Sequence, residues 1–298
     1  MEWNQLQKFL VVAREENISK AAQILMTSQP SLSQIIRRLE EELGYQLFER
    51  EGKRIVLNES GRIMMQAVSR MDEMMQNTRM RLEELNGIRH SEVSIHFGTA
   101  STLLPELLLY LRERDPQIQY RIHQWGAENA EYENDIQILS GPVGCTRSID
   151  ENGQDEILLM EEICLALPRE HALMKKEKLL LKDLIQEEFI NLNEHWELGR
   201  TIRSEMDRLL FTPRMTMLVD NPNMMRELLK SHLGIAFVPS VSWRSFAGEE
   251  IAIRPVEDFS LRRVVFLRTQ TRKYMTREQK QCIAGIKEFF ADCFVKFM

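Results

Sequence analysis

The stretch that decides the fold runs from Ile18 to Gly44 and reads ISKAAQILMTSQPSLSQIIRRLEEELG. It predicts two helices joined by a tight turn. Ser19 is the expected N-cap of the first helix, because its hydroxyl can accept a hydrogen bond from a free backbone N–H group. Ser28 is the expected N-cap of the second helix, and Pro30 falls in its first turn, where a missing N–H costs nothing.

The second of these helices has two unlike faces. Aliphatic residues at helical spacing form its inner face: Leu32, Ile35, Ile36, Leu39 and Leu43. The outer face carries hydroxyl, amide and guanidinium groups: Gln29, Ser31, Ser33, Gln34, Arg37 and Arg38. Such groups pair with base edges and phosphates in the major groove of DNA. The pattern is typical of a helix-turn-helix at about residues 18–37, whose second helix enters the groove; a helical hairpin with a solvated face is the alternative.

The chain after Gly44 predicts a small β-wing. Two short extended runs, Leu47–Phe48 and Arg54–Leu57, flank the turn signal Glu51-Gly52. The tip carries three basic residues: Arg50, Lys53 and Arg54. Basic side chains beside a recognition helix would contact phosphates or the minor groove.

Taken together, residues 1 to about 65 resemble the winged helix-turn-helix of the LysR-type transcriptional regulators. The family pattern is present in order and without gaps as Ser19-Lys20-Ala21-Ala22, Ser28–Ser33, Ile36–Gly44 and Leu47-Phe48-Glu49-Arg50. Two departures are Asn58, where the family usually has Thr, and Ile35, where it often has Gln or Ala.

The resemblance implies double-stranded DNA as a partner. We expect groove contacts from Gln29, Ser31, Ser33, Gln34 and Arg37, with Arg38 beside them, and contacts mainly to the backbone from Ser28, Arg50, Lys53 and Arg54. The formal net charge of −6 does not oppose this, because binding depends on where charge lies. Between Thr27 and Arg38 there are two basic residues and no acid.

A long helix is predicted from Asn58 to Asn86, spanning on the order of 40 Å at about 1.5 Å per residue. It keeps one apolar seam, which includes Met71, Met74 and Leu82. A lone amphipathic helix of this length needs a partner. In the family this linker helix pairs two subunits, so we expect a homodimer, and a homotetramer is also open. The alternative is a seam that packs within its own chain.

From Glu92 onward strands and helices alternate, which predicts a parallel sheet in an α/β region. This part resembles the family's effector-binding region, a two-lobed fold of the type 2 periplasmic binding proteins. The predicted fold is therefore α+β and multidomain: a winged helix-turn-helix at 1–58, a linker helix at 59–87 and an effector-binding domain at 91–298. Within that domain, lobe I covers about 91–162 and 267–298, and lobe II about 163–266.

Candidate effector contacts follow the predicted strand ends. Thr99, Ala100, Ser101 and Thr102 lie where a helix N-terminus would suit an anionic small molecule, although plain capping is an equal use of such residues. Asn191, Asn193, Asp220 and Asn221 follow second-lobe strands. One departure affects this pocket. Where the family often has the pattern G-x-L-D, this chain reads Glu133-Asn134-Asp135-Ile136, without the glycine.

Enzymatic motifs are missing from the sequence: there is no Gly-rich phosphate loop, no G-x-S-x-G and no H-E-x-x-H. We therefore expect no catalyst, no cofactor and no metal. No run approaches the roughly 18 apolar residues of a spanning helix, and no signal peptide is recognised, so no membrane partner is expected. The four cysteines have no metal or disulfide spacing, which favours reduced thiols in a bacterial cytoplasm over a redox sensor.

The resulting expectation is a DNA-binding regulator that senses a small molecule, with RNA polymerase as a further partner that the resemblance suggests. Two alternatives stay open. One is a regulator whose C-terminal domain binds protein partners only, and the other is a ligand-binding protein without a DNA function.

Overall fold

The computed structural model describes residues 1–51, 54–88, 91–99, 102–124, 136–146, 154–270 and 273–295. These fall into two compact units, Met1–Ile88 and Arg89–Met298.

The first unit contains the predicted helix-turn-helix, wing and long helix. Its elements are α1 (Trp3–Glu15), α2 (Ile18–Ile24), α3 (Gln29–Leu43), β1 (Phe48–Glu51), β2 (Arg54–Leu57) and α4 (Glu59–Leu85). Strands β1 and β2 pair antiparallel, with Phe48 opposite Leu57. The core is built from one face of each helix, including Phe9 of α1, Ala21 of α2, Leu32 and Leu39 of α3 and Val68 of α4.

The N-cap predicted for α2 is wrong by two residues. Asn17 caps this helix, and its side-chain oxygen accepts a hydrogen bond from the N–H of Lys20 at 3.0 Å. Ser19 lies in the first turn instead. An Asn side chain caps at least as well as Ser, so two suitable residues compete, and the extended backbone at Asn17 decides between them.

The caps of the other two helices are confirmed. The hydroxyl of Ser28 accepts a hydrogen bond from the N–H of Ser31 at 3.3 Å, with Pro30 in the first turn of α3. Asn58 caps α4 by accepting from the N–H of Gly61 at 2.8 Å, and the helix ends at Asn86. On the inner face of α3, Leu32, Ile36 and Leu39 are buried, while Ile35 and Leu43 are only half-buried.

The second unit is an α/β region. Its strands are β3 (Glu92–Gly98), β4 (Gln119–Gln124), β5 (Ile136–Pro142), β6 (Gln154–Pro168), β7 (Glu188–Leu192), β8 (Arg214–Val219), β9 (Ala236–Pro239), β10 (Ile251–Arg254) and β11 (Arg262–Thr269). Its α-helices are α5 (Leu104–Arg114), α6 (Glu197–Arg208), α7 (Pro222–Lys230) and α8 (Arg277–Val295), and short 3-10 turns cover Ala172–Lys175, Leu181–Leu184 and Arg244–Phe246.

The described strands form a mixed sheet in the order β10-β6-β11-β5-β3-β4, with β9 also paired to β6. Strand β3 is parallel to β4, as predicted, and it is also parallel to β5. Strands β7 and β8 form a separate parallel pair, which an isolated bridge from Phe189 to Ile235 connects to the segment before β9.

Two buried apolar clusters fill this unit. One draws its residues from 93–159 and 265–290, and the other from 163–259. The long strands β6 and β11 pair with each other, and β6 contributes to both clusters, so the chain passes from one cluster to the other along β6. This is the two-lobed arrangement expected from the sequence; the lobe limits of 162, 163, 266 and 267 stay predictions.

Candidate nucleic-acid interface and effector region

The N-terminal half of α3 presents a polar, acid-free surface. Ser28, Gln29, Ser31, Gln34, Arg37 and Arg38 are exposed and Ser33 is half-buried. This exposure follows from the buried positions at Leu32, Ile36 and Leu39, because residues on the opposite side of a helix must face outward. The surface can therefore present amide, hydroxyl and guanidinium groups to base edges.

Two of these side chains have partners within the first unit. The hydroxyl of Ser19 donates to the side-chain oxygen of Gln29 at 3.2 Å. The guanidinium of Arg37 donates to Glu41 at 3.0 Å, with the two side chains 80% and 62% exposed. An ion pair this exposed contributes about 1 kcal/mol or less, so a phosphate or a guanine edge can readily replace Glu41.

A groove of about 820 Å³ lies between the start of α2, helix α3 and the wing. Half of the ten predicted DNA contacts line it: Gln29, Ser33, Arg37, Arg50 and Arg54. Ser28, Ser31, Gln34 and Arg38 do not line the groove, although all four are exposed on or beside α3. Lys53, with Gly52 of the wing turn, lies outside the described residues.

Three carboxylates that the sequence interpretation did not select also line this groove: Glu16, Glu40 and Glu49. Glu16 and Glu40 accept hydrogen bonds from backbone N–H groups at the base of the wing. For Glu40 a signal was present: it lies four residues after Ile36, which places it at the edge of the inner face of α3 rather than with the exposed acids that follow.

In the second unit, the turn after β3 is bonded to another part of the chain. The backbone N–H and the hydroxyl of Thr102 both donate to the carbonyl oxygen of Ser242, at 3.1 and 2.9 Å. Helix α5 starts after Leu103, and no side chain caps it, so Thr102 does not perform the capping role considered as an alternative. An anion at this turn would have to compete with Ser242 for these donors.

The neighbouring predicted contacts are placed differently. Thr99 is 2% exposed, and its hydroxyl has no hydrogen-bond partner among the described residues. Ala100 and Ser101 lie outside the described residues, as does the Glu133–Asp135 part of the segment that lacks the family's glycine.

The structure brings the four second-lobe candidates together at the carboxyl ends of β7 and β8. The amide of Asn193 donates to the carboxylate of Asp220 at 3.2 Å, and Asn221 caps α7 by accepting from the N–H of Met224 at 2.8 Å. Asn191 is buried, and its side-chain oxygen accepts from the N–H of Leu192 at 2.9 Å. Each of these residues therefore has a local structural role beside its predicted role in binding.

A buried polar network that the sequence did not predict lies between the paired strands β6 and β11, where Glu161 stands opposite Arg263. The carboxylate of Glu161 accepts from the guanidinium of Arg263 at 2.9 Å and from the hydroxyl of Ser242 at 2.7 Å. Nearby, the hydroxyl of Ser140 on β5 donates to Glu197 at 2.9 Å. Since Ser140 adjoins the first apolar cluster and Glu197 begins α6 of the second, this last bond joins the two lobes.

The thiols of the second unit are poorly ionised. Burial raises the pKa of Cys164 to about 11 and that of Cys282 to about 12. Burial, followed by the negative charge of Glu197, also raises the pKa of the exposed Cys145. Reactive sensor thiols have lowered pKa values instead. The side chain of Cys293 lies outside the described part.

Metal-binding and membrane-spanning features do not occur in the described part of the chain. Its residues contain no grouping of three or more His, Cys, Asp or Glu side chains arranged to hold a metal ion. Over the same ranges, no helix combines the length and apolarity needed to cross a membrane.

Comparison with known proteins defines the class. Residues 3–62 match the family "Bacterial regulatory helix-turn-helix protein, lysR family", and residues 89–291 match "LysR substrate binding domain". A relative, the uncharacterized HTH-type transcriptional regulator YybE of Bacillus subtilis, is 28% identical over 247 residues, which cover 81% of this chain and 83% of that protein.

Solved structures share the fold along the whole chain. A full-length OxyR variant from Pseudomonas aeruginosa superposes with a TM-score of 0.64 at 20% identity, covering 99% of this chain and 96% of the other. DarR from Vibrio fischeri, solved in complex with DNA, gives a TM-score of 0.51 at 19% identity and covers 96% and 98%.

The fold and the polar, exposed face of α3 define a winged helix-turn-helix regulator with an appended binding domain. With both family matches in place, the chain belongs to the LysR-type transcriptional regulators. It is a DNA-binding transcription regulator with an effector-binding domain.

Proposed function

We propose that this regulator reads DNA with the exposed face of α3 and the wing. Base edges are contacted by Gln29, Ser31, Ser33, Gln34 and Arg37, with Arg38 beside them, and the backbone mainly by Ser28, Arg50, Lys53 and Arg54. The observation that carries the proposal is the acid-free, exposed N-terminal half of α3 beside a groove that Arg50 and Arg54 also line.

The division between base and backbone contacts has a direct test. Arg37→Ala removes a group that can bond two acceptors of guanine, so it lowers the discrimination between sites by about 1–3 kcal/mol. Arg54→Ala removes a wing cation and weakens all duplexes evenly. Competition binding against single-base operator variants measures both. If the two variants act alike, the division is wrong.

We propose a homodimer formed through α4, with a tetramer as the higher assembly. The first half of α4 packs on the core of the first unit through Met64, Met65 and Val68. The second half leaves Met74, Leu82 and Leu85 exposed by 68%, 54% and 82%. Three large apolar side chains on one helix favour burial against a second copy, which supports the dimer over a seam that packs within its own chain.

We propose that an effector binds between the lobes of the second unit and changes their angle, which α4 passes to the spacing of the two DNA-reading units. The bond between Ser140 and Glu197 supports this, because it is a contact that such a change must rearrange. The protein would work in the cytoplasm of a bacterium, with RNA polymerase as a further partner.

The first experiment is a footprint on the DNA upstream of the protein's own gene at two salt concentrations. The proposal expects a protected pseudo-palindrome whose protection falls steeply with salt, as counterion release requires. Failure to bind even random DNA at low salt would overturn the assignment of α3 and the wing. An effector that saturates the second unit without moving the footprint would overturn the coupling.

A further inference from the structure

The base of the wing is bonded to α3 through one carboxylate. Glu40 Oε1 accepts hydrogen bonds from the backbone N–H groups of Leu47 at 2.8 Å and Phe48 at 3.3 Å, the residues at which β1 begins. A two-stranded sheet leaves the N–H groups of its outer edges without strand partners. Glu40 supplies an acceptor for one such group, on Phe48, and for the N–H of Leu47 just before the strand, and it does so from the helix that reads the DNA.

A second carboxylate holds the other strand. Glu16 Oε1 accepts from the N–H of Leu57, the last residue of β2, at 3.1 Å. Glu16 is also the C-cap of α1, with φ of +43°. A residue with a Cβ rarely adopts this conformation, and glycine is the usual choice there.

Other contacts also hold the wing base: the guanidinium of Arg62 donates to the carbonyl oxygen of Leu57 at 2.9 Å, and the side-chain amide of Asn58 donates to the carbonyl oxygen of Gln46 at 2.8 Å. Leu47 and Leu57 are 2% and 7% exposed, and the N–H of Asn58 donates to the carbonyl oxygen of Leu47 at 3.1 Å. Side-chain packing allows rocking about the strand axis more readily than directed hydrogen bonds do. Glu40 ties the wing to α3 and Glu16 ties it to the end of α1, so the two carboxylates help to set the angle of the wing.

Without a role in holding the wing, the negative charges of Glu40 and Glu16 would be unfavourable at a DNA-binding surface. Both line the groove that also holds Arg37, Arg50 and Arg54, so each places a negative charge close to the path of a DNA phosphate. Like charges repel and lower affinity. Glutamates at these two positions are useful to a DNA-binding surface only if what they hold contributes more than their charge removes.

We propose that Glu40 and Glu16 are positioning residues for DNA binding: they clamp β1 and β2 so that the wing arginines reach the DNA backbone while α3 lies in the groove. This rests on the proposed function of Arg50 and Arg54 as backbone contacts. If the two glutamates act as a clamp, removing one of them should weaken DNA binding. Charge repulsion alone predicts the opposite, because removing an acid beside the DNA should strengthen binding.

The test measures the affinity of the full chain for a random-sequence duplex across a range of salt concentrations. Glu40→Ala is expected to weaken binding and to reduce the salt slope by about 0.9 for each phosphate that the wing no longer neutralises. Glu40→Gln keeps an acceptor oxygen and should retain most of the slope. Glu41→Ala, the neighbouring acid that contacts Arg37, is the matched control and should leave the slope unchanged or tighten binding.

The outcomes separate the clamp from a folding defect and from the function of the wing. Partial unfolding lowers the active fraction but leaves the slope of the folded remainder unchanged, and Glu16→Ala repeats the test at the second position. If Glu40→Ala binds more tightly with an unchanged slope, the clamp is overturned. If Arg50→Ala and Arg54→Ala also leave the slope unchanged, the proposed wing contacts themselves fail.

Discussion

Two neighbouring ion pairs in the second unit provide a controlled test of what burial does to charge. Glu161 pairs with Arg263, and both side chains are 0% exposed; Glu162 pairs with Arg262, and the two are 58% and 56% exposed. The four residues are direct cross-strand partners on β6 and β11. Because successive side chains of a strand point to opposite faces, one pair faces the interior and the other faces water.

The expected cost of breaking the two pairs differs severalfold. Glu161→Gln leaves the guanidinium of Arg263 buried without its counter-charge and weakens the acceptor that the N–H groups of Val241 and Ser242 now use. Removing one partner of a buried pair costs about 3–5 kcal/mol. Glu162→Gln breaks a solvent-exposed pair, which contributes about 0–1 kcal/mol.

Thermal unfolding of the full chain by calorimetry measures this difference. In a unit of this size about 1 kcal/mol lowers Tm by roughly 2–4 °C, so Glu161→Gln should lower the transition of the second unit by about 6–20 °C. Glu162→Gln should lower it by less than about 4 °C. Circular dichroism at low temperature checks that each variant is folded. Equal shifts in the two variants would refute the assigned difference in burial.

Three further outcomes are expected. Gly61→Ala would place a Cβ 2.0 Å from the carbonyl oxygen of Leu47, so it should destabilise the first unit by about 1–3 kcal/mol in urea unfolding. Burial, and then the nearby His123, lower the pKa of His96 below 6.5. As pH falls, the imidazole of His96 is therefore protonated in the unfolded chain before it is protonated in the folded one, so the stability of the second unit should fall below about pH 6.5. The fall should be smaller in His96→Gln. Met74→Lys, at an exposed apolar position of α4, should shift the sedimentation of the full chain towards the monomer, whereas an unchanged dimer would contradict the proposed seam.

The sequence predicts the first unit well because its signals are local. Caps and helical periodicity lie within a few residues of the structure they specify. Ser28 and Asn58 cap the expected helices. The error at Ser19 is of the same local kind: two acceptable caps stand two residues apart, and the path of the chain after α1 selects Asn17.

In the second unit the missed elements are those defined by distant partners. Strand β5 reads IQILSGP, which has no run of β-branched or aromatic residues, and it is a strand because β3 and β11 flank it. Similarly, only Ile163–Leu167 of β6 forms a continuous apolar run. The part of this strand before Ile163 carries four acids and is held extended by its antiparallel register with β11. Neither register can be read from a window of neighbouring residues.

The same limit explains why the sequence pattern does not single out Glu40 or Glu161. Glu40 opens a run of three glutamates and Glu161 stands beside Glu162, so composition gives each the same meaning as its neighbour. A rotation of about 100° along a helix, or one step along a strand, turns one carboxylate to the interior and the next to water. Glu40 consequently bonds to the wing while Glu41 bonds to Arg37 on the exposed face. Acids are abundant in this chain, and the role of each depends on its register with partners elsewhere in the fold. Substituting adjacent glutamates one at a time is therefore the most direct way to measure these separate roles.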